Sequence, residues 1–146
     1  MPDHAKETTP TRSFRIVGTL ALLWNLIGVA TYLASVTMSE AALLALPEAE
    51  RALYRSIPAW VTSSYAVAVF GGTLASVGLL LRRAWAVPVF ILSLLGILLQ
   101  MGHALLGSAL LEVKGPGAAV LPLLIVLIAI YLAWFARAAK RRGLLR

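Results

Sequence analysis

No cysteine occurs in this chain, so disulfides, thiolate nucleophiles and cysteine-ligated metals are excluded. Carboxylates are scarce as well. Asp3, Glu7, Glu40, Glu48, Glu50 and Glu112 are all of them, and none falls inside an apolar run. The paired acids of general acid–base catalysis are therefore missing, and so is the buried acid that an H⁺-coupled pump uses. No GxSxG, HExxH or P-loop pattern is present. One histidine, His4, lies in the N-terminal polar stretch, and the other, His103, lies at the opposite end of an apolar run. A single imidazole without a carboxylate or thiolate partner falls short of a metal or heme site. The expectation is a non-enzyme with neither cofactor nor metal.

What the chain has in excess is apolar surface. Of 146 residues, 60% are hydrophobic and 13% charged, against about 45–50% and about 25% in a soluble domain. The net charge of +7 is gathered at the ends of apolar runs rather than along a basic stripe with interleaved aromatics, which argues against nucleic acid and for a lipid bilayer as partner. The stretch before Phe14 is polar, and the apolar run after it is about twice the length of a signal-peptide core, so the first run is expected to stay in the mature protein.

The apolar run from Trp60 to Leu111 is interrupted by Arg82-Arg83. It is too long for one crossing, because about 20 helical residues span a hydrocarbon layer of about 30 Å. The arginines divide it into two crossings joined by a tight turn. They also mark the side of that turn, since short cytoplasmic loops collect Lys and Arg. Four spans follow, at about 14–37, 60–81, 85–107 and 118–136, within a transmembrane domain of 14–137. A cytoplasmic tail of 1–13 precedes it and a basic tail of 138–146 follows. Arg137, Lys140, Arg141, Arg142 and Arg146 put five cations in the last ten residues. With Arg82, Arg83 and the Lys6–Arg15 region they agree on both termini inside. The fold expected is an all-α integral membrane protein, a four-transmembrane-helix bundle, with a short amphipathic helix in the first outer loop. That helix is placed at about Glu48–Ser56 after Pro47, with a turn begun by Ser39-Glu40 before it.

Two small-residue faces stand out. In span one Gly18, Ala21, Asn25, Gly28, Tyr32 and Ser35 recur at steps of 3 and 4, the spacing of a helix seam. In span two Ser64, Ala68, Gly72 and Ser76 recur every four residues, with Gly71 and Gly78 beside them. Span three repeats the spacing with Ser93, Gly96, Gln100, His103 and Gly107. These read as close helix packing. The first outer loop reads as an interfacial spacer, with a lid as the alternative. Gly115-Pro116-Gly117 signals a turn before span four. His103 is the one ionisable side chain placed within a span. With Asn25, Tyr32, Tyr65 and Gln100 it makes a polar cluster that the topology allows near the outer boundary. Such groups are costly in a membrane and mark a candidate site.

The stretches Leu20–Val29, Ile57–Val61 and Leu80–Phe90, with the Arg-rich end, resemble a family of small four-span bacterial membrane proteins often labelled sugar transporters. The resemblance covers nearly the whole chain and implies a multi-pass protein of the bacterial inner membrane. Two functions are expected. The leading one is a packing protein, a homo-oligomer or an accessory subunit of a larger membrane complex, because two small-residue faces exceed what one small bundle needs. The alternative is binding or passage of a small neutral solute such as a sugar at the polar cluster.

Overall fold

The computed structural model describes residues 10–146; the polar stretch 1–9, with Pro2, Asp3, His4, Lys6, Glu7, Thr8 and Thr9, lies outside the described residues. All regular structure among the described residues is helical. Helix α1 runs Arg12–Val36 and starts two residues earlier than expected. Thr11 explains the difference: its hydroxyl accepts from the Phe14 N–H at 3.4 Å, supplying a partner for one of the donors that a helix start leaves open. Two short helices follow, α2 at Glu40–Leu44 behind an Ser39 cap and α3 at Glu48–Arg55 behind Pro47. Helix α4 spans Ala59–Leu80 and α5 spans Ala86–Gly102, the latter running on into a π turn at His103–Gly107. A short α6 at Leu110–Lys114 and a 3₁₀ turn at Pro116–Ala119 lead into α7, Val120–Arg141. Pro88 and Pro122 sit in the first turns of α5 and α7, where a missing N–H leaves no bond unmade.

Four of these helical stretches are long and apolar enough to cross a membrane: Arg12–Val36, Ala59–Leu80, Ala86–Gly107 and Pro116–Arg141. The fourth runs past the expected end at 136. Ala138 and Ala139 favour helix, and Lys140 and Arg141 suit the negative end of its dipole. Leu20, Ile27, Leu121 and Leu127 are all at least 60% exposed, an apolar outer surface that water would not tolerate and lipid would. The packing order is α1 on α4, α4 on α5 and α5 on α7. Helices α1 and α7 meet where Phe14 stacks on Phe135, with ring centroids 6.0 Å apart. Farther along they diverge around a groove of about 480 Å³ lined by Leu20, Leu23, Ile128 and Tyr131.

The α4–α5 turn carries the arginine pair. Arg82 adopts a left-handed backbone at φ 59°, and the Arg83 N–H returns to Gly78 O at 2.8 Å, closing α4 by a motif that glycine usually serves. At the other terminus, Gly143 at φ 70° ends α7, and the Leu144 N–H returns to Ala139 O at 3.0 Å. The residues beyond do not form a loose tail. Arg146 N–H donates to Arg82 O (2.7 Å), Ala84 N–H donates to Arg146 O (2.6 Å), and Leu145 is buried. Arg82 adds a bond from its Nε to Leu144 O at 2.9 Å. The basic segments around Arg82 and Arg146 are thus one assembly at one end of the bundle, called here the arginine end. At the far end, Lys114 and Glu50 approach to 3.2 Å and tie α6 to α3, while Arg55 pairs with Glu40 at 2.8 Å. Arg51 donates to Leu44 O and Leu46 O at 2.9 and 3.0 Å, joining α3 to the end of α2.

Candidate binding site

The small residues define where the helices approach. Gly96 of α5 lies against the backbone of α4: a Cβ there would come within 2.8 Å of Ser64 O and 3.1 Å of Ala68 N. Ser93, one turn away, donates to Ala68 O at 2.6 Å. On the other side of α4, Gly72 makes room for Asn25, whose Cγ would lie 2.7 Å from an added Cβ. Ser76 donates to Gly72 O at 2.8 Å. Gly18 faces the Leu80 side chain and Gly28 faces Val69, while Ala21 and Ala68 are buried. Both small-residue faces are consequently used within the chain: α4 presents one side to α1 and the other to α5. The inference that they exceed the needs of one bundle does not hold, because α4 is a central helix with two neighbours.

Asn25 sits near the midpoint of α1, buried, and its amide donates to Ala21 O at 2.8 Å and to Ser76 Oγ at 3.4 Å. From this point toward the far end the bundle opens. A partly open cavity of about 170 Å³ is lined by all four long helices, with Trp24, Asn25 and Thr31 from α1, Tyr65 from α4, Gln100 from α5 and Ile125 from α7. Tyr65 and Thr31 share a hydrogen bond of 2.8 Å between their hydroxyls. Tyr32 supports the Tyr65 ring edge-on, with centroids 5.2 Å apart. A second cavity of about 490 Å³ lies above, under Tyr54 and beside Ser35 and Thr62, and shares Tyr65 and Gln100 with the first. Below Asn25, toward the arginine end, the space beside Phe90 and Ser93 shrinks to about 10 Å³, at the threshold for a single water.

Of the expected polar cluster, Asn25, Tyr65 and Gln100 meet at this cavity, and Tyr32 stands behind Tyr65. His103 does not line either cavity. It opens the π turn and packs edge-on to Trp60, centroids 5.4 Å apart. Its N–H reaches Leu99 O and Gln100 O, so the backbone keeps its α-helical register up to His103, and the ring turns to Trp60 instead of the cavity. Thr31 and Trp24 escaped the sequence reading. Thr31 is one residue from Tyr32, on a face that the 3–4 spacing skipped, and Trp24 looked like an ordinary apolar residue. Among the described residues no cluster of three or more His, Asp or Glu could hold a metal. The chain matches no protein-family profile, no curated protein and no solved structure.

Proposed function

We propose that this is a multi-pass protein of the bacterial inner membrane that binds or passes a small neutral solute at the far-end cavity. The observation that carries the reading is the meeting of Asn25, Tyr65 and Gln100 from three different helices around one cavity in an otherwise apolar layer. Polar groups at membrane depth are costly, and where they converge on a cavity they mark a candidate binding site. The cavity adjoins the larger one on the far side through Tyr65 and Gln100, which supports entry from that side. Both termini on the cytoplasmic side is supported by Arg82, Arg83, Arg137, Lys140, Arg141 and Arg142 gathering at one end while Glu40, Glu48, Glu50 and Glu112 occupy loops at the other. The second and third helices then lie in an outer loop at the headgroup level, and the resemblance to four-span bacterial proteins agrees with the setting.

The second reading, a subunit that packs against a copy of itself or another membrane protein, is favoured by the groove between α1 and α7, where neither helix covers the other. The small-residue faces no longer argue for it.

The test is saturable solute binding by purified protein in nanodiscs. Gln100→Leu and Tyr65→Phe should each weaken it, whereas His103→Phe should not. Unchanged binding in the double variant Gln100→Leu/Tyr65→Phe would overturn the site. Loss of binding in a folded His103→Phe would do the same.

A further inference from the structure

We infer that the occupant of the cavity is a neutral molecule of benzene size carrying one hydrogen-bonding group, a phenol or short alcohol rather than a sugar; this rests on the solute-binding reading. Volume sets the first bound. A cavity of about 170 Å³ matches the roughly 150 Å³ hole that holds benzene in a protein interior. A benzene-sized body fits there, and a disaccharide does not.

The supply of hydrogen-bonding groups sets the second bound and disfavours a single hexose within the lower cavity. Besides the Trp24 indole, four polar side chains line the cavity, and most of their capacity is already used. Thr31 Oγ1 is shared with Ile27 O (3.1 Å), Gly28 O (2.9 Å) and Tyr65 OH (2.8 Å). The Asn25 amide nitrogen is committed to Ala21 O and Ser76 Oγ. What is left is the Gln100 amide, which makes no side-chain hydrogen bond among the described residues, together with the remaining capacity of the Tyr65 hydroxyl and of Asn25 Oδ1. Gln100 and Tyr65 also line the upper cavity, so both stand at the mouth of the lower one. A hexose brings five hydroxyls, and each one buried without a partner is strongly disfavoured. A molecule with one hydroxyl is satisfied at the mouth by Gln100 and Tyr65. Its apolar body then lies against Trp24, Ile97, Leu121 and Ile125 below.

The experiment measures saturable binding of three probes, phenol, benzene and D-glucose, to protein in nanodiscs, with protein-free nanodiscs subtracted for partitioning. Phenol should bind and glucose should not. Gln100→Leu should weaken phenol about tenfold, the effect of one hydrogen bond, and leave benzene within twofold. Ile125→Trp and, independently, Ile97→Phe should fill the cavity and remove binding of both aromatics while helical circular dichroism is retained. Glucose binding that Gln100→Leu abolishes, without phenol binding, would overturn the ligand class and leave the site standing. Equal benzene and phenol affinity in the native chain would overturn the polar mouth and point to an acyl tail of the bilayer as the occupant. No saturable binding of any probe would overturn the solute-binding reading itself.

Discussion

Gly96→Ala should destabilise this protein by about 1–3 kcal/mol, although the same exchange in an open helix position is stabilising. Two terms oppose each other. Alanine is the better helix former by about 1 kcal/mol. Against that, the new methyl would meet Ser64 O at 2.8 Å, Ala68 N at 3.1 Å and Ala68 Cα at 3.4 Å. All three are backbone atoms, so no side chain can rotate away and the two helices must separate by some tenths of an ångström. Overpacking of this kind costs about 1–3 kcal/mol. The same displacement stretches the 2.6 Å bond from Ser93 Oγ to Ala68 O, which contributes about 1 kcal/mol. The clash therefore outweighs the propensity gain. Gly102→Ala supplies the control: a Cβ there meets nothing within 4 Å, so the propensity gain stands alone and the variant should be as stable as the native chain or up to about 1 kcal/mol more so. Unfolding by SDS titration in mixed micelles, followed by circular dichroism, measures both. Equal responses of the two glycines would refute the claim that α4 and α5 touch backbone to backbone at Gly96.

Leu145→Asp should release the residues after Gly143 from the Arg82–Ala84 turn, because burying a carboxylate there is far costlier than exposing it. Trypsin cleavage after Arg141 and Arg142 should then accelerate several-fold in inside-out vesicles while the four long helices persist. Because the chain has no cysteine, single thiols report orientation directly. Glu112→Cys should react with a membrane-impermeant maleimide in intact cells and Arg83→Cys only after lysis; the opposite pattern would reverse the proposed topology.

The four long apolar helices were legible because their signals are local. An apolar run, an arginine pair and an end-loaded set of cations are properties of consecutive residues, and Pro88, Pro122 and Gly115 mark boundaries for reasons confined to one turn of backbone. The C-terminal residues were expected only as a basic tail, and the stop at Gly143 that folds them onto the Arg82 turn went unread. What sequence could not supply is partnership. Gly18, Gly28, Gly72 and Gly96 announce that something comes close, but only the packing order tells that their neighbours are Leu80, Val69, Asn25 and the α4 backbone. Side-chain direction was equally out of reach: His103 holds α-helical register with Gln100, its N–H bonding Leu99 O and Gln100 O, yet its ring packs on Trp60.

The packing residues and the candidate site, set apart by sequence as rival accounts of the chain, are physically one arrangement. Gly96 is in contact with Ser64 and Ala68; Tyr65 is the next residue along α4, and Gln100 lies one turn beyond Gly96 on α5. The backbone approach at Gly96 thus fixes how far Tyr65 and Gln100 stand from each other at the mouth they share. Gly72 does the same from the α1 side, since only a residue without a Cβ leaves space for Asn25 to reach Ser76. A methyl at position 96 should therefore disturb ligand binding as well as stability, even though Gly96 touches neither cavity. A variant that lost stability while keeping native affinity would separate the two and show that the mouth is set by Tyr32 and Thr31 behind Tyr65 instead of by the α4–α5 contact.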